Sequence, residues 1–391
     1  MTLFSFGFKA SPNSIQASSV PKNAARVLFA GWASFVIENK DGLIEICGEY
    51  GPEEALLIHA LTSANAVHLD APQTLGLSLK FFGWEALQGF LTPAGYVVGL
   101  RHGADALSPT SSSGDVQVYY RNAKDAAACG RSVDHLTVVV DALTGRLHYW
   151  TSTESRPQPV PITGRLSSVK FQKVWAGEAH MVALATDGTL YSWGSGRYGQ
   201  LGHGDLVSES VPKAIESLEG MHIIDAACGA SFSVALSESG DVYSFGLNDH
   251  GQLGIGRREG SSDVEKRNAR NTSYPQLVDF FAKDSVEPID VTVVSVACGS
   301  AHMIVLDDQR SFWSCGWGKY GQLGQTMSSE SRDTMVQMVR STGSVVRADQ
   351  YSLRKRADQR AGPWTNAICG LWSTFLWSAD EIEDGSGGAS P

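Results

Sequence analysis

The chain repeats itself, and that constrains its fold more than any other feature. Three copies of one pattern stand in register: AGEAHMVALATDGTLYSWGSGRYGQLG from Ala176 to Gly202, ACGASFSVALSESGDVYSFGLNDHGQLG from Ala227 to Gly254, and ACGSAHMIVLDDQRSFWSCGWGKYGQLG from Ala297 to Gly324. The first glycine of each, Gly177, Gly229 and Gly299, is followed 17 residues later by Gly194, Gly246 and Gly316, then five later by Gly199, Gly251 and Gly321. With that first glycine as marker, weaker copies begin at Gly31, Gly83, Gly130 and Gly370. The marker spacings are 52, 47, 47, 52, 70 and 71 residues, so the last two intervals carry extra length.

Within a unit the apolar positions alternate with period two, as in Met181-Val182-Ala183-Leu184, and a glycine turn precedes Leu190-Tyr191-Ser192-Trp193. This reads as strand, turn, strand. Units of about 50 residues that each form a short antiparallel sheet describe propeller blades around a channel. The expectation is an all-β, seven-bladed β-propeller occupying residues 1–380 as one domain, with blade markers at 31, 83, 130, 177, 229, 299 and 370. Leu3-Phe4-Ser5-Phe6-Gly7 repeats the second half of a unit, while the Gly370 unit supplies only a first half. Pairing the two half-blades would close the ring and remove two exposed sheet edges. Residues 255–290 and 325–367 are expected as inserted loops, and 381–391 as an acidic disordered tail.

The Gly-Gln-Leu-Gly endings, Leu-Tyr-Ser-Trp-Gly strands and Ala-Cys-Gly openings resemble the regulator of chromosome condensation repeat family. The short N-terminal half-blade, the Gly316 to Gly324 motif and the string Cys369-Gly370-Leu371-Trp372-Ser373-Thr374 are similar to its stand-alone domain-containing group. WD-repeat and kelch propellers fit poorly, because no Trp-Asp dipeptide occurs and Gly-Gly occurs only at Gly387-Gly388.

Several strings imitate chemical sites. Gly194 to Gly199 and Gly316 to Gly321 satisfy G-x-G-x-x-G, but Gln-Leu-Gly follows where a phosphate cradle needs a helix N-terminus. Structural turns explain them. All six cysteines precede a glycine: Cys129, Cys228, Cys298 and Cys369 stand where Ala30 and Ala176 stand in other units, and Cys47 and Cys315 take the place of Trp193. A position that accepts Ala or Cys is small and buried rather than metal-binding or nucleophilic. His180 and His302 share one repeat position, which His135 also approaches, but Phe232 and Ser373 fill it elsewhere. That makes it a packing and hydrogen-bond position, not a metal ligand. Asp307-Asp308 lie at a turn, where solvated acids are expected. Trp32, Trp84 and Trp372 beside marker glycines would suit the family's ultraviolet-sensing branch, yet its Gly-Trp-Arg-His-Thr strings are missing, and buried structural aromatics account for them. No G-x-S-x-G elbow, H-E-x-x-H helix or Walker loop is present. Neither an enzyme, a cofactor nor a metal is expected.

Charge adds one further reading. Lys plus Arg, 31, against Asp plus Glu, 41, leaves −10, which argues against bulk binding to nucleic acid or anionic membrane. No apolar run approaches the roughly 18 residues of a spanning helix, and the N-terminus lacks the order of a signal peptide. The nucleus or cytosol is the expected residence. Positive charge concentrates in two places, at Arg257, Arg258, Lys266, Arg267 and Arg270, and at Arg354, Lys355, Arg356 and Arg360. Insertions between repeats are expected as loops on one face, where recognition is commonly carried. These residues are the candidate partner-binding set of a monomeric, non-enzymatic scaffold. The family resemblance implies a protein partner such as a JmjC-type oxygenase with chromatin or chromosome-segregation work, or alternatively guanine-nucleotide exchange on a Ran-like small GTPase.

Overall fold

The computed structural model describes residues 2–7, 21–50, 79–100, 116–255, 271–281, 288–323, 331–337 and 366–378, short gaps inside these stretches excepted, together with part of 55–61. The chain is an all-β propeller with nearly no helix among these residues. Two short 3-10 turns, Gly164–Ser168 and Glu216–Leu218, and isolated helical positions between 55 and 61 are the exceptions.

In the Gly177 blade, strands Phe171–Ala176, His180–Ala185, Leu190–Gly194 and Glu209–Ala214 pair in chain order, each antiparallel to the last. Pairing of His180 with Gly194 places the marker turn and the Gly-Gln-Leu-Gly loop at one end, the marker face. Pairing of Leu184 with Leu190 places the Asp187-Gly188 turn at the other, the turn face. Gly188 takes φ +86° there, a region that costs an L-residue strain. In the Gly299 blade Arg310 holds the corresponding turn at φ +60°.

Six sheets are built from continuous stretches of chain, around the markers Gly31, Gly83, Gly130, Gly177, Gly229 and Gly299. The weak Gly83 unit is a four-stranded sheet, whereas the Gly31 sheet has three described strands. The seventh sheet differs in kind. It has three strands, in the order Thr2–Gly7, Ser373–Ser378, Asn366–Cys369, so it joins the two ends of the described chain. Its register runs from Thr2 opposite Ser378 to Gly7 opposite Ser373. The seven-bladed expectation is thereby corrected to six blades; the N-terminal and C-terminal half-blades do pair, but as a three-stranded closing sheet drawn from separate parts of the chain.

The stretches expected as plain loops carry strands. Asn271–Leu277 is the outer strand of the Gly229 blade, and Ser331–Gln337 the outer strand of the Gly299 blade. Phe280–Phe281 then crosses to the next blade and lies parallel to Ser331–Gln337, with Phe280 opposite Met335, and Pro288–Ile289 pairs outside it. This strap makes the Gly299 sheet six-stranded. Phe280 is 5% exposed and meets Trp313 edge-on at 5.4 Å. The core between these two blades also holds Phe232, Val234, Leu236, Met303 and Val305. Burial of each such side chain contributes on the order of 1.5–3 kcal/mol.

Candidate functional site

The marker glycines converge on the axis. A Cβ on Gly177 would collide with the His180 ring and lie 2.6 Å from the Gly229 carbonyl; one on Gly299 would collide with the His302 ring and lie 2.6 Å from the Gly370 carbonyl. Close backbone approach, rather than an unusual dihedral, requires glycine at these places. Around them runs a circuit of backbone bonds: Gly130 N to Glu178 O at 2.8 Å, Glu178 N to Ala230 O at 3.3 Å, and Ala230 N to Ser300 O at 3.0 Å.

The polar residues of the repeat knit blades together. Ser192, Ser244 and Ser314 donate to the carbonyls of Leu201, Leu253 and Leu323 at 2.6, 2.7 and 2.9 Å, fixing each Gly-Gln-Leu-Gly loop to its own blade. The buried Gln200 and Gln252 accept from the amides of Tyr198 and His250. Ser233 of the next blade donates to Gln200 O at 2.8 Å, so it must accept from the Nε2–H of His180, also 2.8 Å away. His302 Nε2 makes the equivalent contact, 3.1 Å, with Thr374 Oγ1 in the closing sheet. Burial pushes both imidazoles down to about 4 and keeps them neutral near pH 7. His135 stands opposite Gly130 in strand Asp134–Asp141, the corresponding register position.

A rule readable in the sequence, though missed by unit-by-unit inspection, links the third residue after one marker to the fourth after the next. His180 is matched by Ser233 and His302 by Thr374, while Phe232 is matched by Met303 in a shared apolar core. The signal lies between repeats rather than within one.

The other imitations of chemistry are structural too. All six cysteines are free. Burial raises Cys129 and Cys47 to about 11 and Cys369 to about 12, away from thiolate reactivity. Asp307, expected in solvent, is 5% exposed and accepts from Trp313 Nε1 at 2.9 Å and Ser311 N at 2.6 Å; only Asp308 is exposed. The indole of Trp313 supplies the donor that draws this carboxylate inward. Among the described residues no group of three or more His, Cys, Asp or Glu is placed to hold a metal ion, and no helix is long and apolar enough to cross a membrane. Trp84 is half-buried, while Trp32 and Trp372 lie outside the described residues.

All nine candidate basic residues, Arg257, Arg258, Lys266, Arg267, Arg270, Arg354, Lys355, Arg356 and Arg360, lie outside the described residues. The strand ends that bracket them are described, and they separate the two groups. Ile255 and Asn271 bracket the first, and Asn271 pairs with Leu247 at the marker face. Gln337 and Asn366 bracket the second; Gln337 pairs with Trp313 and Asn366 with Trp377, both toward the turn face. The described strand ends that bracket the two stretches thus lie on opposite faces, because the first stretch follows the third strand of its blade and the second follows the fourth.

Exposed apolar side chains gather at the marker face where the Gly177 and Gly229 blades meet. Tyr198, Leu206, Val207 and Tyr274 are 42%, 55%, 58% and 55% exposed. The Tyr274 ring lies on Gly204, where a Cβ would collide with it, and Gly204 N donates to Ser273 O at 2.9 Å. Next along, His250 stacks on Trp317 at 5.1 Å.

A closed ring of antiparallel sheets, with apolar side chains exposed where two blades meet at the marker face, defines a β-propeller. Within residues 171–322 the chain is similar to the regulator of chromosome condensation (RCC1) repeat: profiles of that description match residues 187–236 and 239–306, and residues 171–200, 223–252 and 293–322. RCC1 domain-containing protein 1 of Mus musculus is 28% identical over 250 residues, covering 57% of this chain and 60% of that protein. Serine/threonine-protein kinase Nek9 of Xenopus laevis is 32% identical over 243 residues, covering 61% of this chain and 22% of the kinase. The chain therefore spans about a fifth to three fifths of the length of these curated relatives. A solved structure of Prp20p from Saccharomyces cerevisiae, described with its binding to Gsp1p and histones, is similar with a TM-score of 0.65 over 97% of this chain and 92% of that chain. At 18% identity that likeness is one of fold.

Proposed function

We propose that the protein is a non-enzymatic interaction scaffold whose loops hold a protein partner. The observation that carries this reading is a division of labour. The histidines and cysteines that imitate a chemical site, and the serines and glutamines of the repeat, are spent on contacts within and between blades, while Tyr198, Leu206, Val207 and Tyr274 are exposed. Rigid aromatic side chains on a preformed support are suited to anchor a partner at low entropic cost. The basic residues Arg257, Arg258, Lys266, Arg267 and Arg270, and Arg354, Lys355, Arg356 and Arg360, would serve an acidic partner. The resemblance to the stand-alone domain-containing group points to a JmjC-type oxygenase as partner and to the nucleus or cytosol as residence.

Nucleotide exchange on a small GTPase is the second reading, favoured by the fold shared with Prp20p, described as binding Gsp1p. Exchange needs only that loops bind the nucleotide-free state better than the loaded one. Affinity purification of the intact protein and of a variant with Arg354, Lys355 and Arg356 changed to Glu separates these readings. A partner recovered with the intact chain and lost with the variant supports the scaffold and assigns its site to the Arg354 to Arg356 stretch; retention by the variant rejects that stretch as the contact. Recovery of a small GTPase, strengthened by stripping nucleotide and joined by accelerated nucleotide release, replaces the scaffold with the exchange factor. Recovery of the protein alone near physiological salt rejects both.

A further inference from the structure

The ring is continuous in chain through its six blades and is closed without a covalent link at one place, where Ser373–Ser378 pairs with Thr2–Gly7. Thr374, opposite Phe6 in that pairing, belongs to the closing strand, and it is the residue to which His302 of the Gly299 blade is hydrogen-bonded. The imidazole is fully buried, and its Nδ1 has no hydrogen-bond partner. Its edge lies against the Gly299 backbone, close enough that a Cβ there would collide with it. A second ring proton would therefore have no acceptor. Among the described residues no charged group faces the ring, which lies by the Thr374 hydroxyl, the Ser373 backbone and the Gly299 turn, with the thiol of Cys369 3.9 Å from Thr374 and Cys298 beside it. Burial raises both thiols and keeps them neutral. An imidazolium in such a place is tolerated only if the seam parts and admits water.

We propose that the bond from His302 to Thr374 is an acid-released latch: protonation of the imidazole parts the closing sheet of Asn366–Cys369, Ser373–Ser378 and Thr2–Gly7 from the Gly299 blade. The like pair His180 and Ser233 lies between the Gly177 and Gly229 blades, where Ser233 is also held by Gln200 O, so acid removes only one of two contacts there. The intervening seam carries the non-titrating alternative, Phe232 and Met303.

Hydrogen exchange of the full chain, read by mass spectrometry at pH 7.5 and pH 5.0 and corrected for intrinsic chemistry, tests the latch. A buried imidazole at about 4 that returns to an ordinary value near 6.5 on opening raises the opening equilibrium of 366–378 and 2–7 roughly thirtyfold at pH 5.0. His302→Phe with Thr374→Met, which copies the Phe232 and Met303 pair, abolishes the rise, and His180→Phe leaves it in place. Equal protection at the two pH values, or the same rise in the double variant, overturns the proposal. Should the double variant not fold, His302→Gln keeps a donor for Thr374 without titrating, and a rise that persists in it has the same force.

Discussion

Asp125 offers the sharpest check on how the blades are joined. It sits on the inner strand of the Gly130 blade and is 7% exposed. One carboxylate oxygen accepts from Val174 N of the next blade at 2.9 Å, and the other meets Lys80 Nζ of the preceding blade at 2.5 Å. One side chain thus staples three sheets. Replacing it with Ala leaves the Val174 amide without its acceptor, which costs about 2 kcal/mol for a buried donor. The Lys80 side chain is 42% exposed, so loss of the ion pair adds no more than about 1 kcal/mol after solvent screening. Asp125→Ala is expected to lose about 3 kcal/mol in all. Asp125→Asn, whose amide oxygen still accepts from Val174, loses about 1 kcal/mol, as does Lys80→Met. Urea unfolding followed by tryptophan fluorescence measures each directly. If Asp125→Ala costs no more than Lys80→Met, the bond to Val174 is not what makes this carboxylate structural, and the staple is refuted.

Other perturbations have outcomes of the same kind. Phe280→Ala should cost about 3–5 kcal/mol in equilibrium unfolding, since it empties a core site against Trp313; a loss under about 1 kcal/mol would mean the strap is dispensable. The His180 imidazole, held at about 4 against an ordinary 6.5, contributes fully above pH 6.5 and progressively less as pH falls toward 4. Between pH 7.5 and pH 5 that amounts to about 2 kcal/mol. His180→Phe should flatten this share of the pH profile, and an unaltered profile would assign the acid sensitivity elsewhere. Deleting residues 2–7 removes all six register pairs with Ser373–Ser378 and should lower the melting temperature of the whole ring; an unchanged value would show that this pairing does not support the remaining blades.

Much of this architecture is legible in the sequence, and the parts that are not share a physical reason. Inner strands such as His180–Ala185 and His302–Asp307 are buried along their whole length, so their apolar runs and flanking glycines announce them. The likeness of Leu3 to Gly7 and Leu190 to Gly194 likewise foretells the pairing with Ser373–Ser378. Outer strands give no such signal. Asn271–Leu277 is exposed or half-exposed throughout, so nothing enforces alternation, and with its neighbours it reads as a loop. The strap is harder still, because a parallel contact two residues long has no period. The hydroxyls of Ser233 and Thr374 escaped notice since each looks ordinary within its own unit and acquires a purpose only beside the histidine of the preceding blade.

The strap from the Gly229 blade onto the Gly299 sheet also bears on modularity. Repeat arrays tolerate gain or loss of a unit when each touches its neighbours only side by side. Here residues that follow one blade form strands of the next, so a recombination breakpoint between Phe281 and Val293 would leave Phe280 without the Trp313 ring it covers and Met335 without its strand partner. The strap is therefore inherited with the Gly299 blade: a chimera cut between Leu277 and Phe280 keeps its brace, and one cut between Phe281 and Val293 must grow a new one.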